Sequence, residues 1–483
     1  MGIKKSSDIV KYLMNKKFEY AEYKIKNFAY FCQRTHKRIE DLEFIDTSSG
    51  TDFNNMFREV YLTTVPSIDV SNGTNFNRMF QSCSNLESVP ELDTSKGADF
   101  GYMFSGCSNL KTISKLDTSN GTDFSGMFYS CSDLTSIPEF EFNTSKGENF
   151  ENMFKYCYDL TSVPEIDISN GTNFESMFED CGALTSIPNF DVSNGTNFYY
   201  MFYGCTGLTS INLTLIPKPN TSNDVNFSRM FSNCCNLTSF NSEPTSKFDT
   251  SKGTNFKSMF YGCRNLTSIP ELDTSNGTYF ESMFQNCYKL TSIPNLDTSK
   301  STDFEGMFCN CENLTSIPEL DTSNGTNFDS MFYGCKNLTS IPELDTSNGT
   351  NFYKMFYSCS NLKSIPKLDI GKENDTEKMF SFCTSLQDLY LYNIKYSITI
   401  GSGTSYGHLL TVDSLIHIIN ELHPTTSTKT LTMGSANVEK LNGLYCKIVD
   451  STNKKLPMVL CSRTDTGAML VSDYITGKGW TYD

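Results

Sequence analysis

The residues of this 483-residue chain that could do chemistry stand in columns rather than in clusters. Thirteen cysteines recur at one place: Cys83, Cys107, Cys131, Cys157, Cys181, Cys205, Cys234, Cys263, Cys287, Cys311, Cys335, Cys359 and Cys383. Zinc sites pair their ligands two to four residues apart, and single cysteines one repeat apart do not. Cys234-Cys235 and Cys309-x-Cys311 are close pairs with no His near them in sequence. The column falls among Met, Phe and Leu, so buried, reduced thiols are expected. A carboxylate column runs through Asp46, Asp69, Asp93, Asp117, Asp167, Asp191, Asp249, Asp273, Asp297, Asp321, Asp345 and Asp369, with Asn143 and Asn220 in two units. Asn keeps the acceptor oxygen and loses the charge. The column therefore reads as an Asx-turn acceptor, often with Ser two residues on. A calcium ladder is the alternative. Repulsion between carboxylates one repeat apart should raise some of their pKa values.

Catalytic groups are scarce. The four histidines, His36, His408, His417 and His423, have no partner at nucleophile or metal spacing. No Gly-rich phosphate loop is found, and the Asn-Gly-Thr triplets follow the repeat. They match the N-glycosylation sequon but, with no secretory signal read, are taken as turns. No catalytic, cofactor-binding or metal residue is assigned, no cofactor is expected, and the chain is not read as an enzyme. Tyrosine is the remaining group. The second residue after a recurring Met is Tyr129, Tyr203, Tyr261, Tyr333 or Tyr357 in five units, and Tyr199, Tyr200 and Tyr353 neighbour that column. Exposed aromatic side chains on a rib can stack on sugar rings or anchor a protein. The alternative is that each ring packs over the edge of the next repeat.

What positions these columns is a repeat. Met-Phe recurs at Met56, Met79, Met103, Met127, Met153, Met177, Met201, Met230, Met259, Met283, Met307, Met331, Met355 and Met379, mostly 24 residues apart, with longer spacings on both sides of Met230. One unit is Leu266-Thr-Ser-Ile-Pro-Glu-Leu-Asp-Thr-Ser-Asn-Gly-Thr-Tyr-Phe-Glu-Ser-Met-Phe-Gln-Asn-Cys287. Phe280, Met283, Phe284, Cys287 and Leu290 follow the i, i+3, i+4, i+7 rule, which predicts a short amphipathic helix. Thr278 and Glu281 read as its capping box. Leu266, Ile269 and Leu272 mark an extended half, and Asn276-Gly277 the turn between the halves. Neither half can bury a face alone, so the units must stack. Residues 1–40 differ in composition; Ile9, Tyr12 and Leu13, then Phe28, Tyr30 and Phe31, predict a helical cap or attachment segment.

The unit resembles the BspA-like leucine-rich repeat of bacterial surface proteins across about residues 41–390. That resemblance implies an α/β leucine-rich-repeat-like solenoid of about 14 strand–turn–helix units, often adhesive. The segments Leu410-Thr-Val-Asp-Ser-Leu-Ile-His-Ile-Ile-Asn420, Leu431-Thr-Met-Gly-Ser-Ala-Asn437 and Gly477-Lys-Gly-Trp480 are similar to the C-terminal end of phage tail and other virion proteins carrying such repeats. Residues 391–483 are thus expected to form an α/β cap.

The net charge of -16 argues against nucleic acid, whose phosphates need basic patches. No stretch approaches a membrane span. Residues 1–17 carry five lysines and no apolar core, so no signal peptide is read. The expectation is a non-catalytic binding protein on a phage particle, its partner a host-surface glycan or protein or a neighbouring virion protein, with oligomerisation left open. A bacterial cell-surface adhesin or an intracellular interaction scaffold is the alternative.

Overall fold

The computed structural model describes residues 26–34, 46–137, 142–188, 190–212, 224–241, 248–372, 374–400, 410–448, 458–466 and 468–482. The chain divides into two compact units, Met1–Lys252 and Gly253–Asp483. Both contain the same coil.

Residues 304–311 show how a coil is built. The N–H groups of Phe304, Gly306, Phe308 and Asn310 donate to Asn327, Asp329, Met331 and Tyr333 of the following coil, at 2.6–2.9 Å. The intervening Met307, Cys309 and Cys311 donate within the coil to Phe304, Gly306 and Phe308. The remaining N–H, of Glu305, goes to the Asp303 side chain at 2.9 Å. Every donor from 304 to 311 is therefore used, as a buried backbone requires. Gly306 and Asn310 have φ of 58° and 59°. Positive φ at the third residue of Phe304–Met307 and of Phe308–Cys311 is what a type II turn demands.

The coil is thus a ladder of tight turns, and the expected amphipathic helix is absent from it. The i, i+3, i+4, i+7 pattern is real, because Phe280, Met283, Phe284, Cys287 and Leu290 are all fully buried. Successive four-residue turns bring those same positions inward. No capping box forms: Glu281 lies in the turns, and the Thr278 hydroxyl donates to the Thr254 carbonyl. Identical side chains stack in register from coil to coil. In the first unit Phe150 lies on Phe174 at 5.7 Å and Phe154 on Phe178 at 5.4 Å. In the second, Phe328 lies on Phe352 and Phe332 on Phe356, each at 5.4 Å.

The array also begins earlier than residue 41. Phe28 N–H donates to the Asp52 carbonyl at 2.7 Å, its ring stacks on Phe53 at 5.5 Å, and Tyr30 and Arg34 have φ of 60° and 57°. Residues 26–34 are therefore a coil of the ladder and not a helical cap. Phe31 and Cys32 occupy the Met and Phe places, which is why the Met-Phe spacing passes over them. Residues 1–25 and 35–45, where the rest of the cap was expected, lie outside the described residues.

The extended half pairs as strands only locally. In the first unit Ser88–Val89 runs parallel to Thr112–Ile113 and Ser210–Asn212 to Ser239–Asn241. In the second, Ser364–Asp369 runs parallel to Asp388–Tyr392. The proline in this half lacks the donor a longer ladder needs, and even Ser364–Asp369, which contains Pro366, shifts register between Ile365 and Leu368. Single bonds remain, such as Thr161 N–H to the Thr135 carbonyl at 3.1 Å.

Beyond residue 391 the second unit turns to helices and strands. Helix α1 (Val412–Glu421) packs on strand Asp388–Tyr392 and is N-capped by Thr411. Helix α2 is Ser435–Leu441 and α3 is Val471–Gly477. Strand Lys429–Thr432 lies parallel between Ile398–Thr399 and Trp480–Tyr482. Strand Tyr445–Ile448 pairs antiparallel with Met458–Cys461 and with Met469–Leu470. The Lys-Gly-Trp end fastens this module. The buried Lys478 ammonium donates to the carbonyls of Ile419, Asn420 and Leu422 at 3.0–3.3 Å. Trp480 Nε1 donates to the His423 carbonyl at 2.8 Å. A cation at a helix C-terminus satisfies carbonyls that have no partner in the helix and opposes its dipole.

Candidate binding surface

The turn ladder decides which side chains face out. In most coils the core takes the two Phe, the Met and the Cys, and the two residues inside each turn flank it, some partly exposed and others, such as Ser105, Ser176, Ser232 and Cys309, buried. In the coil of Phe280 these are Glu281, Ser282, Gln285 and Asn286, all partly exposed. Four outward columns result. Two of them, the residue before Met and the residue before Cys, hold the positive-φ positions.

All eight tyrosines proposed for the rib are half-buried in these columns. In the first unit Tyr200 meets Tyr199 edge-on at 4.1 Å and Tyr203 at 4.8 Å. Arg229 lies over the Tyr200 ring at 5.4 Å and donates to its hydroxyl, and Asn233 donates to the Tyr203 hydroxyl at 2.9 Å. Burial, reinforced by Tyr200, pushes Tyr199 up to about 12. Tyr129 meets Tyr156 edge-on at 5.5 Å. In the second unit Tyr333 and Tyr357 stack at 4.9 Å with planes 2° apart, and Lys354 reaches Tyr353 at 4.7 Å. Tyr261 stands half-buried in the same column as Tyr333. The rings thus both pack across coil edges and keep surface.

Spacing from Met missed the partners of these rings. Tyr102, Lys354 and Arg229 occupy the place before Met, and Tyr156 and Phe382 the place before Cys. Phe382 meets Tyr357 edge-on at 5.0 Å, and Arg78 lies over Tyr102 at 5.3 Å. Gly126 makes room for the Tyr102 ring, which a Cβ there would approach to 2.3 Å. The missed signal was that these places are not helical, so their side chains project beside the chosen column.

The cysteine column is buried in both units and all cysteines are free thiols. Each bonded thiol donates to the Phe carbonyl of the preceding coil, as Cys311 Sγ does to Phe284 at 3.1 Å. Burial pushes Cys83 and Cys383 up to about 12 and others higher. Folded protein keeps these protons where the unfolded chain sheds them, above about pH 8.5. The stabilisation is complete below that pH and is lost as pH rises toward the folded values. The urea unfolding midpoint is expected to fall steadily above about pH 8.5. A flat alkaline profile would contradict the buried column. In native protein at neutral pH, a thiol reagent should reach the half-buried Cys235 and Cys461 first.

The aspartate column forms the expected turns. Asp297 Oδ1 accepts the Ser299 N–H at 3.0 Å and its hydroxyl at 2.7 Å, and Asn143 accepts from Ser145 N–H. The expected rise in pKa is overturned. Hydroxyl and backbone donation from Ser119, Ser275, Ser323 and Ser347 lowers Asp117, Asp273, Asp321 and Asp345. The repulsion of Asp321 on Asp345 is the smallest contribution there. A second Asx column, immediately before the first Phe, went unread; Asp303, Asn327 and Asn351 each accept the N–H two residues on.

Among the described residues no group of three or more His, Cys, Asp and Glu is placed to hold a metal, and no helix is long and apolar enough to cross a membrane. His417 is held by the Leu391 carbonyl between the rings of Tyr390 and Tyr392. His36 and His408 lie outside the described residues.

The family described as "Mycoplasma protein of unknown function, DUF285" matches residues 23–137, 74–186, 137–233, 172–292, 207–316 and 278–393, overlapping windows that cover more than half of the chain. No curated protein matches it. Among solved structures, a leucine-rich repeat protein from Bacteroides ovatus is similar at 20% identity over 69% of this chain and 84% of that one, with a TM-score of 0.33. A leucine rich cell surface protein from Faecalibacterium prausnitzii is similar at 20% identity over 68% and 76%, with a TM-score of 0.30. A leucine-rich repeat protein from Eubacterium ventriosum follows at 15% identity over 68% and 80%, with a TM-score of 0.31. The likeness is to leucine-rich repeat proteins as a class, the class that the repeat unit resembles, and extends to no individual side chain.

Proposed function

The chain belongs to the DUF285 family, and from that premise we propose that it is a non-catalytic binding protein of a bacterial cell surface, which engages a glycan or protein through the tyrosine-bearing columns of its turn ladder. The observation that carries this reading is the division of labour within each coil. Core columns are fixed by stacking, while the outward columns vary and gather aromatic rings into groups on a rigid backbone. Tyr offers a wide contact area, little entropy to lose and a hydroxyl for polar ligands. The particle-surface reading, which draws on the tail resemblance, is placed second.

The test replaces the two groups separately, Tyr200→Ala with Tyr203→Ala and Tyr333→Ala with Tyr357→Ala. Each full-length variant is titrated against immobilised glycans and against intact cell envelopes. Loss of a hot-spot ring should weaken binding by about 1–3 kcal/mol, roughly 5- to 150-fold, with an unchanged circular dichroism spectrum. Unchanged binding in both variants would remove these columns from consideration.

A further inference from the structure

The chain carries eight Asn-Gly pairs, and the structure treats seven of them alike and one differently. Asn-Gly is the dipeptide most open to self-modification, because no side chain shields the glycine nitrogen. That nitrogen attacks the asparagine Cγ, an N–Cγ bond forms, and the Cγ–Nδ2 bond breaks. Ammonia leaves with the glycine N–H proton. Water then opens the succinimide at either carbonyl to give aspartate or isoaspartate. No oxidant or reductant is needed, and water is the sole co-reactant. The attack needs a free glycine N–H and a side-chain amide able to turn toward it.

Seven pairs begin at Asn72, Asn120, Asn170, Asn194, Asn276, Asn324 and Asn348, one per coil. Neighbouring coils tie down the asparagine side chain, and the turn within each coil ties down the glycine N–H. In the first unit Asn120 Nδ2 donates to the Ser95 carbonyl at 2.7 Å, its Oδ1 accepts from Lys146 Nζ at 2.6 Å, and Gly121 N–H donates to Thr118 at 2.8 Å. In the second, Asn348 Nδ2 donates to Ser323 at 2.7 Å, its Oδ1 accepts from Lys372 at 2.7 Å, and Gly349 N–H donates to Thr346 at 2.8 Å. A Cβ on Gly121 would come within 2.5 Å of the Phe124 ring, so the glycine backbone is itself packed against the core.

The eighth pair, Asn442-Gly443, follows helix α2. Both residues are exposed, and a Cβ on Gly443 would meet nothing within 4 Å. The Asn442 N–H caps the helix, but among the described residues no hydrogen bond holds the Asn442 side chain, the Asn442 carbonyl or the Gly443 N–H. We infer that Asn442 is a self-modification site of the folded protein, and that the seven Asn-Gly pairs of the ladder are the same chemistry held closed by stacking. Conversion at Asn442 places a carboxylate at the C-terminus of α2, where the helix dipole opposes it. As isoaspartate it also adds a backbone atom three residues before strand Tyr445–Ile448.

The test incubates the full chain at mildly alkaline pH, native and in urea, and maps aspartate and isoaspartate by peptide mass and isoaspartyl assay. In urea all eight sites should convert at similar rates. In native protein Asn442 should convert within a few-fold of its urea rate. The seven ladder sites should be slower by on the order of 100-fold, because only the opened fraction of a coil can react. Their glycine amides should be protected from hydrogen exchange in the same rank order. Ladder sites converting alongside Asn442 in native protein, or Asn442 silent there, would overturn the inference.

Discussion

Replacing Phe332 with alanine is expected to lower stability by about 3–5 kcal/mol, the cost of removing a fully buried aromatic ring and leaving its cavity. Phe332 is 0% exposed and lies between Phe308 at 5.6 Å and Phe356 at 5.4 Å, with planes within 9°. Its loss removes both stacking contacts, and neighbouring coils cannot close the gap without breaking register. The carbonyl of Phe332 accepts the Cys335 N–H and the Cys359 thiol, so any backbone relaxation there also disturbs the cysteine column. The urea midpoint should fall accordingly. Tyr333→Ala, on the adjoining outward position, should leave it nearly unchanged. Equal losses for the two would mean that inward and outward columns are not distinguished as described.

Lys478→Met is expected to be the most damaging single change in the C-terminal module. Met keeps much of the stem and removes the ammonium, leaving the carbonyls of Asn420 and Leu422 without this donor and that of Ile419 with the Leu422 N–H alone. Each unsatisfied buried polar group costs about 1–3 kcal/mol. Partial access of water to α1 brings the expected total to about 3 kcal/mol rather than the full sum. The module should then open before the coils, seen as early loss of amide protection across Val412–Glu421 with the ladder still protected. A conservative Lys478→Arg cannot be assumed harmless, since its planar fork suits three converging carbonyls less well than a compact ammonium does. Full protection of α1 in Lys478→Met would refute this role.

Much of the core was legible because stacking leaves a mark on composition. Met283, Phe284 and Cys287 recur with their equivalents at a fixed spacing, and every such position is buried. The Asx turns at the Asp column were legible from the Asn at position 143, which only an acceptor role explains. The backbone of the coil was not. Two consecutive four-residue turns place Phe280, Met283, Phe284 and Cys287 at the spacings that one helical face would use, so apolar periodicity cannot separate the two. The discriminating residues lie between the apolar ones. Gly106, Gly204, Asn233, Gly262, Asn286, Asn310 and Gly334 precede the cysteine, a place where a helix interior disfavours Gly and Asn and a left-handed residue favours them. The coil at residues 26–34 was hidden for a simpler reason, since Phe31-Cys32 fills the core where Met-Phe does elsewhere. The tyrosine groups were half legible. Tyr203, Tyr333 and Tyr357 were found from their distance to Met, but Tyr156, Lys354 and Phe382 belong to columns that become neighbours only when the backbone turns.

Placement of four columns beside the core of each coil follows from turns and would not follow from helices, so the binding columns depend on the secondary structure of the coils. Far-ultraviolet circular dichroism of the full chain measures it directly. The described residues contribute only the weak helical signal that α1, α2 and α3 supply, at ten, seven and seven residues. A strong helical double minimum, of the size that a helix in every repeat would produce, would contradict the turn ladder and with it the binding columns.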